Sequence, residues 1–174
     1  MFKELNILKI FFESPSREFN VREIARLLKI APATTSSQLK NLVKIGILKY
    51  RKERILHLYK SNSENEIYQD LKIFYNIRKI KDSGLLNELN KFYLKPTIVL
   101  FGSALYGRDI ENSDIDLLII SEKTKEFQEL KKFEKKLNRK LQLFIVKDIK
   151  ELKNEHLINN ALNGMILQGE IKWI

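Results

Sequence analysis

The chain has no cysteine among its 174 residues. That excludes disulfides, cysteine-ligated zinc and thiol chemistry. Histidine is nearly as scarce. His57 and His156 stand far apart, without acidic partners at ligand spacing, so neither is assigned any chemistry. No apolar run approaches the roughly 20 residues of a membrane span. Met1-Phe2-Lys3-Glu4 lacks the order of a signal peptide, so a cytoplasmic location is expected, with no membrane partner. Charge, by contrast, is plentiful and mostly positive, +10 overall. Residues 1–60 hold 13 Lys/Arg against 5 Asp/Glu, a net of +8, while residues 61–174 carry only +2. A basic first third points to nucleic acid at that end.

Within it, Leu5, Leu8, Phe11 and Phe12 recur at helical spacing, and Ser14-Pro15-Ser16 ends the helix. Asn20 and Glu23 form a capping-box pattern for a second helix, with Ile24, Leu27 and Leu28 as its apolar face. Pro32 suits the first turn of a third helix, whose core face is Thr35, Leu39, Leu42 and Val43 and whose C-cap is Gly46. Ala31 stands where a Ser or Thr would cap more strongly. Two β-like runs, 47–50 and 55–59, follow, joined by Arg51-Lys52-Glu53-Arg54. This arrangement resembles the winged helix-turn-helix of prokaryotic regulators, in Val21–Leu28, Thr34–Leu42 and Gly46-Ile47-Leu48. The resemblance implies duplex DNA as partner, with the third helix in the major groove. Its outward residues would then be Ala33, Ser36, Ser37, Gln38, Lys40 and Asn41. Lys40, Lys44, Arg51, Lys52 and Arg54 would supply phosphate contacts.

After a polar break at 61–63, Glu64–Lys79 reads as a helix that is apolar on too many sides for a lone surface helix: Ile67, Tyr68, Leu71, Ile73, Phe74, Tyr75, Ile77 and Ile80. Such a helix is expected to be covered, either by the neighbouring domain or by a second copy in a homodimer. Leu85–Leu94 forms another helix. The expected division is 1–60, a DNA-binding domain; 61–95, a helical linker; and 96–174, a second domain.

The second domain carries Gly102-Ser103, then ten residues, then Asp114-Ile115-Asp116, with Val99–Phe101 before and Leu117–Ile120 after. Residues two apart in a strand share a face, so the two carboxylates lie side by side. Such a pair suits a hard cation that takes oxygen ligands together with substrate phosphates. Gly102 allows close backbone approach to a ligand, and Ser103 is expected at a helix N-terminus, an anion site. The pattern predicts strands at 97–101, 115–120 and 140–147, and helices near 104–107 and 124–138. Two short helices and a strand near 165–173 complete it, with Phe144 and Trp173 in the core. Strands alternating with helices imply an α/β unit with a mixed sheet, and the whole chain is α+β in two domains.

Gly102, Ser103, Gly107, Ser113, Asp114 and Asp116 together resemble the signature of the small, "minimal" nucleotidyltransferases of the polymerase-β type. The resemblance implies a nucleoside triphosphate held by Gly102, Ser103 and Ser113, and Mg²⁺ or Mn²⁺ held by Asp114 and Asp116. It also implies a third carboxylate on a later strand. Here that strand is 140–146, and its polar slot is Gln142, which is close to Glu in size but uncharged. The nearest acid downstream, Asp148, lies past the strand and would need a register shift of six residues. An arginine frequent after Gly-Ser in relatives is absent; Arg108 is the nearest. Three functions are compatible with these residues. The chain is a DNA-binding regulator that binds Mg-NTP, with or without transfer of a nucleotidyl group to an unknown acceptor; a working nucleotidyltransferase that uses its winged helix to position an acceptor; or an antitoxin-like partner of a helical ribonuclease.

Overall fold

The computed structural model describes residues 3–171, with side-chain surroundings from Asn6 onward. The Leu5 side chain and Trp173, both expected in the core, lie outside the described residues. The chain divides into two compact units, 1–75 and 76–174, and passes from one to the other inside a helix.

The first unit runs α1 (Lys3–Glu13), β1 (Phe19–Asn20), α2 (Val21–Leu28), α3 (Pro32–Lys44), β2 (Leu48–Glu53), β3 (Leu56–Ser61) and the first part of α4 (Glu66–Ser83). Asn20 Oδ1 accepts the Glu23 amide at 2.9 Å, which makes one half of the expected capping box. The other half is absent, because the Glu23 carboxylate binds Arg17 instead. α3 starts on Pro32 without a side-chain cap, and Thr35, fully buried, returns its hydroxyl to the Ala31 carbonyl at 3.1 Å. Gly46, at φ +79°, closes α3 with bonds from its own amide to Val43 and from the Ile47 amide to Leu42. The core gathers Phe11, Phe12, Ile24, Leu39, Ile47 and Tyr68. Tyr68 is fully buried, and its hydroxyl shares the Phe11 carbonyl with Ser61 (3.2 and 3.0 Å).

β2 and β3 are longer than the sequence pattern suggested. They pair from Leu48↔Ser61 to Glu53↔Leu56, so Arg51 and Lys52 lie in a strand and the turn is Arg54-Ile55. Arg54 takes φ +53°, the left-handed conformation that a two-residue hairpin requires.

The second unit is a four-stranded sheet, order β6-β5-β4-β7, made of β4 (Thr97–Phe101), β5 (Ile115–Ile120), β6 (Leu141–Val146) and β7 (Met165–Gln168). β5 and β6 are parallel and the other pairs antiparallel, which makes the sheet mixed as expected. One face (Ile98, Leu100, Leu117, Ile119) packs with α5 (Leu85–Tyr93) and α6 (Leu130–Leu137). The other (Val99, Phe101, Leu118, Val146) packs with a 3₁₀ turn (Ile149–Glu151) and α7 (Glu155–Leu162). Covered on both faces, the strands read as near-continuous apolar runs. α6 is shorter than the expected 124–138, because residues 124–127 take no regular structure.

Candidate nucleotide site and nucleic-acid face

Asp116 and Gln142 interrupt the apolar runs of β5 and β6, and the ladder sets them opposite each other. Phe101 pairs with Asp116, and Asp116 pairs with Gln142, in one row across three strands. Asp114 precedes β5 by one residue and, two before Asp116, shares its side of the strand. Among the described residues neither carboxylate has a hydrogen bond or ion pair. Burial, and then the charge of Asp114, raise the Asp116 pKa above the usual carboxylate range. Two such carboxylates without a counter-charge fit a divalent cation. Accordingly, among the described residues no group of three His, Asp or Glu side chains gathers.

Gly102 follows β4 directly, at φ +73°, and a Cβ built there would overlap the Asp116 carboxylate. The left-handed backbone and that close approach together favour glycine there. The expected helix near 104–107 is absent. The chain instead makes consecutive turns, with the Leu105 amide donating to Gly102 O (3.1 Å), and the Tyr106 and Arg108 amides to Ser103 O (3.2 and 3.1 Å). Gly107, at φ +64°, lets the turns fold back rather than propagate as a helix. Ser103 therefore sits on a turn and not at a helix N-terminus, and its hydroxyl has no hydrogen-bond partner among the described residues. Ser113 closes the loop. Its hydroxyl accepts the Ile110 amide at 2.9 Å, and its amide donates to the Ile110 carbonyl at 3.0 Å.

Asp109, buried in the middle of this loop, was not singled out from the sequence. Asn76 of α4 donates to it at 2.8 Å and to the Ala104 carbonyl at 2.9 Å; Arg139 lies 3.5 Å away and also donates to the Ile110 carbonyl. An acid inside a loop gives no signal of burial until its partners, 33 residues before and 30 after, are known.

Asp148 stands at the other end of the sheet. It caps the 3₁₀ turn, accepting the Lys150 amide at 2.8 Å, and lines a cavity with Lys95, Thr97 and Lys147. Gln142 is the second residue of β6, whereas Asp148 lies two residues past the strand's far end at Val146, away from Asp116. Arg108 is exposed.

In the first unit α3 exposes Thr34, Ser37, Lys40, Asn41 and Lys44, while Ser36 and Gln38 are half-buried. Gln38 Oε1 is buried without a partner. Ala33 is exposed as expected, and Thr34 is exposed on the same helical stripe as Ser37 and Asn41. On the wing, Arg51 is engaged on both sides: it holds Glu18 through two bonds of 2.6 Å and Glu53 through one of 2.6 Å. That hydrogen bonding holds the Glu18 carboxyl below its usual range. Among the described residues Lys52 and Arg54 make no such pair.

Residues 82–167 match the nucleotidyltransferase domain family, and residues 3–50 match the bacterial regulatory protein, arsR family. The chain joins an arsR-type regulator domain to a nucleotidyltransferase domain. No curated protein matches it. The carboxylate row thus falls inside the nucleotidyltransferase domain, and the α3 stripe inside the regulator domain. The wing's second strand lies beyond the matched regulator segment. Among the described residues no helix is long and apolar enough to cross a membrane.

Proposed function

We propose that this chain is a DNA-binding regulator whose nucleotidyltransferase domain binds a metal–NTP complex and transfers the nucleotidyl group poorly or not at all. The observation that carries this reading is the register pair Asp116↔Gln142. It sets a neutral amide beside Asp116 on the neighbouring strand, which supports the reading that the third carboxylate implied by the resemblance is replaced there. Asp114 and Asp116 would hold Mg²⁺ or Mn²⁺. When bound, that ion neutralises the triphosphate and the charge developing at the transferred phosphorus. Ser103 offers a free hydroxyl to the phosphates, and Gly102 gives the room that lets chain and carboxylate meet. Gln142 donates or accepts hydrogen bonds but takes no proton at neutral pH, so with Asp114 and Asp116 given to the metal the β6 neighbour offers no general base.

The regulator domain reads duplex DNA through Ser37 and Asn41, with Ser36 and Gln38 at the edge of the same helix. Lys40, Lys44, Lys52 and Arg54 contact phosphates. Exposed Ile67 and Phe74, seven residues apart on α4, support a homodimer through that helix.

The test is incubation with each of the four labelled NTPs plus Mg²⁺ or Mn²⁺, with and without DNA, scoring retention and covalent transfer separately. Retention without transfer is expected. Rapid transfer would favour an enzyme that positions its acceptor with the winged helix. Failure to retain any nucleotide would refute the reading and leave the antitoxin-like one.

A further inference from the structure

We propose that Asn76 is a positioning residue of the nucleotide site, supplied by the helix between the two matched domains and not by either of them. The inference rests on the nucleotide-binding reading above. Asn76 lies outside both 3–50 and 82–167. Its side-chain amide nitrogen carries two protons, and both find acceptors on the loop that joins Gly102 to Asp114: the Ala104 carbonyl at 2.9 Å and Asp109 Oδ1 at 2.8 Å. Ala104 is two residues after Gly102, and Asp109 five before Asp114. One side chain therefore ties the phosphate-side arm of the loop to its carboxylate-side arm.

The tie is anchored. Asp109 and Arg139 are 6% and 7% exposed at their side chains, and Arg139 also donates to the Ile110 carbonyl. A buried charge pair adds little net stability, since desolvation offsets most of the attraction. Its effect on a turn-rich loop is to specify one conformation. Asn76 extends that specification to Ala104, next to the free hydroxyl of Ser103. The same helix gives Tyr68 and Tyr75 to the first unit, where Tyr75 bonds Glu13 of α1 and packs on Phe12. The loop's anchor and part of the regulator's core are thus one continuous element.

The experiment uses the full chain as wild type, Asn76→Ala, Asn76→Asp and Asn76→Ser. Affinity for MgATP, MgGTP, MgCTP and MgUTP is measured by calorimetry, and amide exchange is followed by mass spectrometry. Asn76→Ala is expected to weaken binding of the preferred nucleotide tenfold or more. Asn76→Asp keeps the shape but loses both donated bonds and sets a charge against Asp109, so it is expected to be the weakest. Asn76→Ser, smaller yet still a donor, falls between wild type and Asn76→Ala. Exchange should quicken at 103–113 in Asn76→Ala while β4 and β5 keep their protection, an outcome that general loss of stability would not give. Wild-type affinity in Asn76→Asp, or in Asn76→Ala with the loop still protected, overturns the proposal alone. A wild type that binds none of the four overturns it together with the reading on which it rests.

Discussion

Gly102 and Asp116 meet closely: a Cβ on Gly102 would overlap the Asp116 carboxylate unless that side chain moved aside. Gly102→Ala is expected to lower stability by about 1–2 kcal/mol from its left-handed conformation alone. It should also push Asp116 aside and weaken Mn²⁺-dependent nucleotide binding; thermal melts and metal titration check the two effects. Asp116 itself carries a pH signature. Its pKa is raised by burial and then by Asp114, so the fold holds its proton more tightly than the unfolded chain does. The metal-free protein therefore loses stability as pH climbs from the ordinary carboxylate range through the raised value. Asp116→Asn should remove that loss. Denaturant melts without metal are expected to show the variant more stable than wild type at pH 7, with the gap closing as pH falls. These residues were legible in the sequence because Gly-Ser and Asp-x-Asp carry their chemistry in the residue types. Asp109, Asn76 and Arg139 were not, because a buried loop acid declares itself only through distant partners.

At the scale of elements, period and punctuation did most of the work. β4 and β5 fall where their apolar runs lie, and Pro32 and Gly46 bound α3. Local chemistry misled in two places. Arg51 and Lys52 read as a turn because they are charged, but they face solvent from an exposed strand whose ladder extends to Glu53. The stretch 104–107 read as a helix, but Gly107 folds it into turns. The wing pairing also changes which residues are expected to contact DNA. Since Arg51 is occupied by Glu18 and Glu53, Lys52→Ala with Arg54→Ala should flatten the salt dependence of DNA binding by about 0.9 per lost phosphate contact. Arg51→Ala alone should change that slope little, as fluorescence anisotropy across a salt series would reveal. On α4, Tyr68 and Phe74 looked alike in the sequence, yet Tyr68 is fully buried and Phe74 is 47% exposed. Tyr68→Glu is expected to unfold the first unit by leaving a charge in its core. Phe74→Glu should stay folded; if α4 forms the proposed dimer, sedimentation should find the wild type dimeric and this variant monomeric.

Over the whole molecule, the two-domain plan and the mixed sheet were readable before the structure, since each domain carries its own periodicity and motif. The register that pairs Asp116 with Gln142 was inferable only from alternation along β6, and the ladder bears out that alternation. The central claim is that this pairing leaves a nucleotide-binding site without its base. It is tested most directly by comparing transfer of labelled NTP by wild type, Gln142→Glu and Gln142→Asp, with Mn²⁺, in the presence of DNA and of the chain itself as acceptors. Nucleotide retention should be similar in all three, with transfer near background in the wild type. A restored carboxylate should raise transfer by a factor within the roughly 10²–10⁴ of general-base catalysis. Asp148→Asn, at the far end of the sheet, should leave every value unchanged. Rapid transfer by the wild type that neither Gln142 variant improves would contradict the account.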